Sequence, residues 1–157
     1  MRNTFTTIAL AVIAASGIAY GVAAQQKAAA AALPKVTVYK TSSCGCCRLW
    51  VDHLKKSGFD VQAMDVSSEE VRAVSKAAGL KDEDVSCHTA KIGNYTVEGH
   101  VPADDIKRLL KEKPAIAGLS APGMPQGSPG MEQGTKEPYD VIAFTKDGRS
   151  TVFAKHK

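Results

Sequence analysis

Thr41-Ser42-Ser43-Cys44-Gly45-Cys46-Cys47-Arg48-Leu49-Trp50-Val51-Asp52-His53 places three thiols within four residues, between a run that reads as a strand and one that reads as a helix. Upstream, Lys35-Val36-Thr37-Val38-Tyr39-Lys40 alternates β-branched or aromatic residues with polar ones, the two-residue period of a strand. Downstream, Leu49, Trp50, His53 and Leu54 recur at helical spacing across Arg48 to Ser57, and Gly58 is a stop signal. The cysteines therefore occupy a strand-to-helix turn, with Cys46 and Cys47 near a helix N-terminus. Exposed backbone N–H groups and the positive end of the helix dipole favour the thiolate there.

Working outward, Phe59 to Val66 alternates again and reads as a second strand. Ser67-Ser68-Glu69-Glu70 opens a helix with a capping box, Ser67 as N-cap and Glu70 three residues on, and Gly79 closes it. Strand, helix, strand in this order implies a right-handed crossover and a parallel pair. Val85 to Ile92 and Tyr95 to Glu98 flank Gly93-Asn94 and read as an antiparallel hairpin. Pro102 to Lys111 is a third helix, with acids in its first turn, bases in its last, and Lys113-Pro114 as its stop. Ala117 to Pro138, rich in Gly and Pro, shows no period and reads as a loop holding Met124 and Met131. Tyr139 to Phe144 and Arg149 to Ala154 form a last hairpin about Lys146-Asp147-Gly148. The order predicts an α/β domain with a thioredoxin-like fold, βαβα followed by ββα, plus an additional C-terminal β-hairpin. The tri-cysteine turn falls where the redox motif of that fold sits.

The N-terminus sets the compartment. Arg2 precedes an apolar run from Phe5 to Ala24 that ends in Val22-Ala23-Ala24, a small-residue cleavage site, so residues 1–24 read as an export signal. The run is almost long enough to cross a bilayer, and an uncleaved N-terminal anchor is the alternative; contact with a membrane is expected only in that case. Residues 25–34, Ala-rich and ended by Pro34, read as a linker, leaving 35–157 as the thioredoxin-like domain. Either reading puts the domain outside the cytoplasm. A net charge of +4 in 157 residues is spread without a basic block, and one Trp leaves no aromatic-basic interleaving, so no nucleic-acid partner is expected.

In an oxidising compartment thiols become disulfides unless a metal or a reductant protects them. Three nearly contiguous cysteines do not suit two ordinary bridges; one disulfide with a spare thiol remains open. A zinc site is normally built from two separated ligand pairs, a pattern missing here. Clustered thiolates favour Cu(I) over harder ions. Cys44, Cys46 and Cys47 are therefore the primary metal candidates. Cys87, which the hairpin carries toward the same turn, is a candidate fourth sulfur, with His88 beside it. His53, two helical turns beyond Cys46, is a further candidate. Met124 and Met131 offer thioethers, soft ligands that survive oxidation. Trp50 and Met64 read as core, His100 equally as cap or functional group, and His156 as solvated.

Ser43-Cys44-Gly45-Cys46-Cys47, Trp50, Ser86-Cys87-His88-Thr89, Glu98-Gly99-His100-Val101-Pro102 and Gly123-Met124-Pro125 to Met131 resemble the bacterial CGCC-motif metal-binding family that includes the copper-resistance protein CopG. The resemblance covers roughly Lys35 to Phe153. It implies a thioredoxin-like fold, a periplasmic location and copper held by Cys44, Cys46, Cys47 and Cys87, alongside other periplasmic copper-resistance proteins. One departure from the wider thioredoxin pattern stands out: no proline is adjacent to Cys87, where oxidoreductases of that fold place a cis-proline facing the thiols. The expected function is sequestration or redox handling of Cu(I), and the protein need not be an enzyme. The competing readings are a thiol–disulfide oxidoreductase, with Cys44 attacking and Cys47 resolving, and a copper metallochaperone.

Overall fold

The computed structural model describes residues 33–157; residues 1–24, read above as an export signal, and residues 25–32, read as part of a linker, lie outside them. Strand β1 (Val36–Lys40) leads through the cysteine turn into α1 (Gly45–Lys56), β2 (Val61–Asp65) and α2 (Ser68–Ala77). A short 3-10 turn (Asp82–Asp84) precedes β3 (His88–Ile92), β4 (Tyr95–Gly99) and α3 (Ala103–Glu112). The chain ends in β5 (Gly118–Ala121), β6 (Tyr139–Phe144) and β7 (Ser150–His156). These strands form one sheet in the order β2-β1-β3-β4-β5-β6-β7. The β1–β2 and β4–β5 pairs are parallel and the others antiparallel. The α/β class and the βαβα then ββα order expected from the sequence are present.

The capping box is present too. Ser67 Oγ accepts from the Glu70 N–H at 3.2 Å, and the Glu70 carboxylate accepts from the Ser67 N–H at 2.8 Å. In α1 the buried stripe is Cys47, Trp50, Val51 and Leu54, spaced three and four apart as a core-facing helix requires. It packs with Ile106 and Leu109 of α3 and with Val36, Val38, Ala90, Ile92, Val97 and Leu119 of the sheet. Side chains alternate across a strand, so Thr89, next to Ala90, faces the other side, where its hydroxyl meets Ser75 of α2 at 2.6 Å. Helices α1 and α3 thus cover one face of the sheet, and α2 the other.

Four details differ from the sequence reading. The supposed structureless loop contains β5, which joins the C-terminal hairpin to the main sheet through β4 and β6. Gly-Leu-Ser-Ala is too short to show a period, and a Cβ at Gly118 would collide with the Thr96 carbonyl. The third strand begins at His88, so Cys87 precedes it. Met64 is 40 % exposed because β2 is an edge strand. His156 is not solvated: its Nε2 lies 2.7 Å from the Asp105 carboxylate of α3, and its ring stacks on Tyr139. Arg108 reaches from α3 to the Phe153 carbonyl at 2.9 Å and over that ring, so β7 is clamped onto α3.

Trp50 is fully buried, and its Nε1–H donates to the Val101 carbonyl at 2.8 Å. In Trp50→Phe the apolar ring stays and that buried carbonyl loses its partner, at a cost of about 1–3 kcal/mol, read as a lower urea midpoint for the metal-free protein.

Candidate metal centre

The site is built by two backbone facts. Cys44 is the N-cap of α1, in extended conformation, and its Sγ accepts from the Cys47 N–H at 3.3 Å, the position an Asp or Ser cap normally fills. No acid occupies the first turn, so sulfurs alone face the positive end of the helix. Antiparallel pairing of β1 with β3 then sets Lys40 opposite His88. The residue before β3 therefore lies beside the turn after β1, and Cys87 meets the tri-cysteine group. Its Sγ is 3.5 Å from that of Cys47 and 4.0 Å from that of Cys46, which is 3.6 Å from Cys44 Sγ. All four sulfurs lie within 4.8 Å of one another. Cys44 and Cys47 are disulfide-bonded; Cys46 and Cys87 are free thiols.

Cys87 also belongs to a second group. His100 Nε2 lies 3.2 Å and His88 Nδ1 3.4 Å from its sulfur, and these three side chains again converge within 4.8 Å. His100 Nδ1 sits 2.8 Å from the Pro129 carbonyl, so that nitrogen carries the proton and donates. The Nε2 lone pair is left aimed at Cys87, which is how ligand histidines are commonly oriented. His88 is fully buried between Trp50, 4.4 Å between ring centroids, and His100, at 5.0 Å. Its Nε2 has no hydrogen-bond partner among the described residues. Burial, then the neighbouring Cys46, pushes the Cys87 thiol up to about 12. Cys87 is therefore a neutral thiol that must give up its proton to bind a metal.

Among solved structures, two forms of a protein titled "Copper resistance protein copG" match this chain. Form 1 is 38% identical, covering 79% of this chain and 98% of its own, with a TM-score of 0.72. Form 2 is 39% identical, covering 80% and 99%, with the same TM-score. The chain belongs to the CopG family. Within this CopG-family chain, residues 85–131 also match the model described as "Protein of unknown function, DUF411". That span takes in Cys87, both converging histidines and both loop methionines, and begins after the tri-cysteine turn. No curated protein matches the chain. Among the described residues no helix is long and apolar enough to cross a membrane.

Of the candidate ligands named from the sequence, the structure brings together Cys44, Cys46, Cys47 and Cys87, and sets His88 beside Cys87. It does not bring His53 to them. Seven residues of helix is a rise of about 10 Å, and the His53 Nε2 instead accepts the Ala103 N–H at 3.1 Å. Pro102, the N-cap of α3, has no side chain that can cap, so His53 serves one of that helix's unpaired N–H groups. Met124 is exposed and follows Gly123, whose carbonyl accepts from Ser86 Oγ. Met131 is half-buried and follows Gly130, which packs so closely on the Cys46 carbonyl and the Trp50 N–H that a Cβ would approach them to 2.8 and 2.9 Å. Gly130 also needs its φ of +89°, so only glycine lets the loop lie on α1 and present Pro129 to His100.

His100, which the sequence offered equally as a cap and as a functional group, stands in this second group. The role of Glu98 escaped the sequence reading: fully buried, it accepts from the Ser86 N–H at 2.7 Å and from Thr89 Oγ1 at 2.7 Å. It thereby pins the backbone on both sides of Cys87-His88. Burial raises its pKa.

Burial, with His100 beside it, pushes His88 down to about 3, and burial also lowers His100 and His53. In the unfolded chain these imidazoles protonate near the ordinary value of 6.5. Between those values the unfolded state binds more protons, so the stabilisation is whole above about pH 6.5 and is lost as pH falls toward 3. The urea midpoint of the metal-free protein is therefore expected to drop between pH 7.5 and 4.5, and to drop less in His88→Gln.

Proposed function

We propose that this protein binds Cu(I) through its cysteine thiolates, sequestering the ion or handling its redox state in copper resistance, and that it does so in the periplasm. The observation that carries this reading is the convergence of four sulfurs at an acid-free helix N-terminus, continued through Cys87 to two imidazoles. Kinship with proteins titled for copper resistance supports it. Thiolates select a soft monovalent ion, and sulfurs this close can each bridge two ions. His88 and His100, held neutral by burial, extend the donor set at no cost in proton release. Met124 and Met131, next to the glycines that pack on Ser86 and Cys46, are the thioether candidates to complete it. The N-terminal apolar segment supports the location outside the cytoplasm.

Holding copper on all four sulfurs requires the Cys44–Cys47 bond to be reduced, so metal occupancy and thiol redox state are linked. That disulfide also favours the second reading, a thiol–disulfide oxidoreductase in which half-buried Cys44 is the attacking sulfur and buried Cys47 the resolving one.

Metal content with thiol titration separates the two. After anaerobic reduction and Cu(I) loading, more than one copper per chain with all four thiols protected is expected, and Cys46→Ser should lose more than one ion, since Cys46 neighbours both Cys44 and Cys87. No retained copper, with a readily cycling Cys44–Cys47 disulfide, would establish the oxidoreductase instead.

A further inference from the structure

Beside the sulfurs lies a cavity of about 230 Å³ that the metal-centre reading does not use. Cys44 and Cys87 line it together with Ser68, Val71 and Arg72 of α2 and the Ser86 hydroxyl. With about 30 Å³ per water in the liquid, it holds the equivalent of roughly eight waters, the size of a molecule with a handful of non-hydrogen atoms. Arg72 makes no ion pair among the described residues. Glu69, three residues earlier on α2, makes no ion pair with it, Glu70 is engaged in the capping box and Asp65 with Lys40. The cavity therefore sets Cys44 beside an exposed guanidinium.

We propose that this cavity is the docking site for a small anionic thiol that reduces the Cys44–Cys47 disulfide. The inference rests on the reading of the four sulfurs as a centre that must be reduced before it holds Cu(I). Cys47 is fully buried, whereas Cys44 is half-buried and opens on the cavity, so the incoming thiolate attacks Cys44 Sγ. The Cys44–Cys47 bond breaks, the electron pair leaves on Cys47 at the helix N-terminus, and a mixed disulfide forms on Cys44. A second thiolate attacks the sulfur of the bound molecule, releasing the small disulfide and the Cys44 thiolate. Two small thiols are oxidised to one disulfide, one protein disulfide is reduced to two thiols, and the two protons pass to Cys44 and Cys47. Arg72 pairs with the anionic group and holds the attacking sulfur at Cys44.

The test uses oxidised, copper-free full-length protein at low ionic strength, with 3-mercaptopropionate, 2-mercaptoethanol and cysteamine as anionic, neutral and cationic thiols. Each reduction rate is divided by that thiol's rate on a neutral small disulfide, which removes differences in thiol pKa. The anionic thiol is expected to exceed the cationic one by roughly threefold, the scale of a part-exposed ion pair. Arg72→Gln should bring the ratio near one, and Arg72→Glu should invert it. Equal normalised rates in the wild type, or the same order in Arg72→Glu, would overturn the proposal. Because copper is absent throughout, such a result would leave Cu(I) binding by the same sulfurs untouched, and loss of copper binding would leave the charge dependence untouched.

Discussion

The antiparallel register that sets Lys40 opposite His88 is the constraint on which the centre depends. It fixes Cys87 beside the N-terminal turn of α1, so that a thiol forty residues away in sequence joins three that are nearly contiguous. A shift of one residue would turn His88 to the other face of the sheet and carry Cys87 away from the turn. The register is held by the apolar residues of both strands, since Val38 pairs with Ala90 and Val36 with Ile92, all buried in the main core. Packing far from any sulfur thus determines the sulfur geometry.

Around that register the protein buries an unusual set of polar groups. Glu98 is satisfied on every side, by Ser75, Thr89 and the Ser86 N–H, and acts as an internal brace. His100 is satisfied at one nitrogen by Pro129 and presents the other to Cys87. His88 is the exception, with a nitrogen left unpartnered inside the core. Interiors rarely leave such atoms unpaired; the other ring nitrogen, Nδ1, is the one that faces Cys87, at 3.4 Å. The Glu98 brace thus holds Cys87 Sγ, His88 Nδ1 and His100 Nε2 close together.

Much of this was legible in the chain. The alternation of Val36-Thr37-Val38-Tyr39, the Ser67/Glu70 capping box and the Trp50–Leu54 spacing each express a local period or a cap, and each is found where the sequence put it. Convergence of Cys87 on the turn followed from topology. Other features were hidden because they depend on distant partners. Strand β5 exists because Gly118 admits the close approach of β4. His53 and His156 are set by Ala103 and Asp105 of a helix fifty residues away. His100 could not be separated from a capping residue until Pro129, in a loop without periodicity, was seen to fix its tautomer.

Copper K-edge X-ray absorption on the anaerobically reduced, Cu(I)-loaded protein tests the central claim most directly, because it reports the donor atoms and any neighbouring metal. A sulfur-bridged centre predicts a first shell dominated by sulfur, a smaller imidazole contribution, and a short copper–copper vector that disappears in Cys46→Ser. A shell of nitrogen and oxygen alone, with no copper–copper scattering, would contradict it.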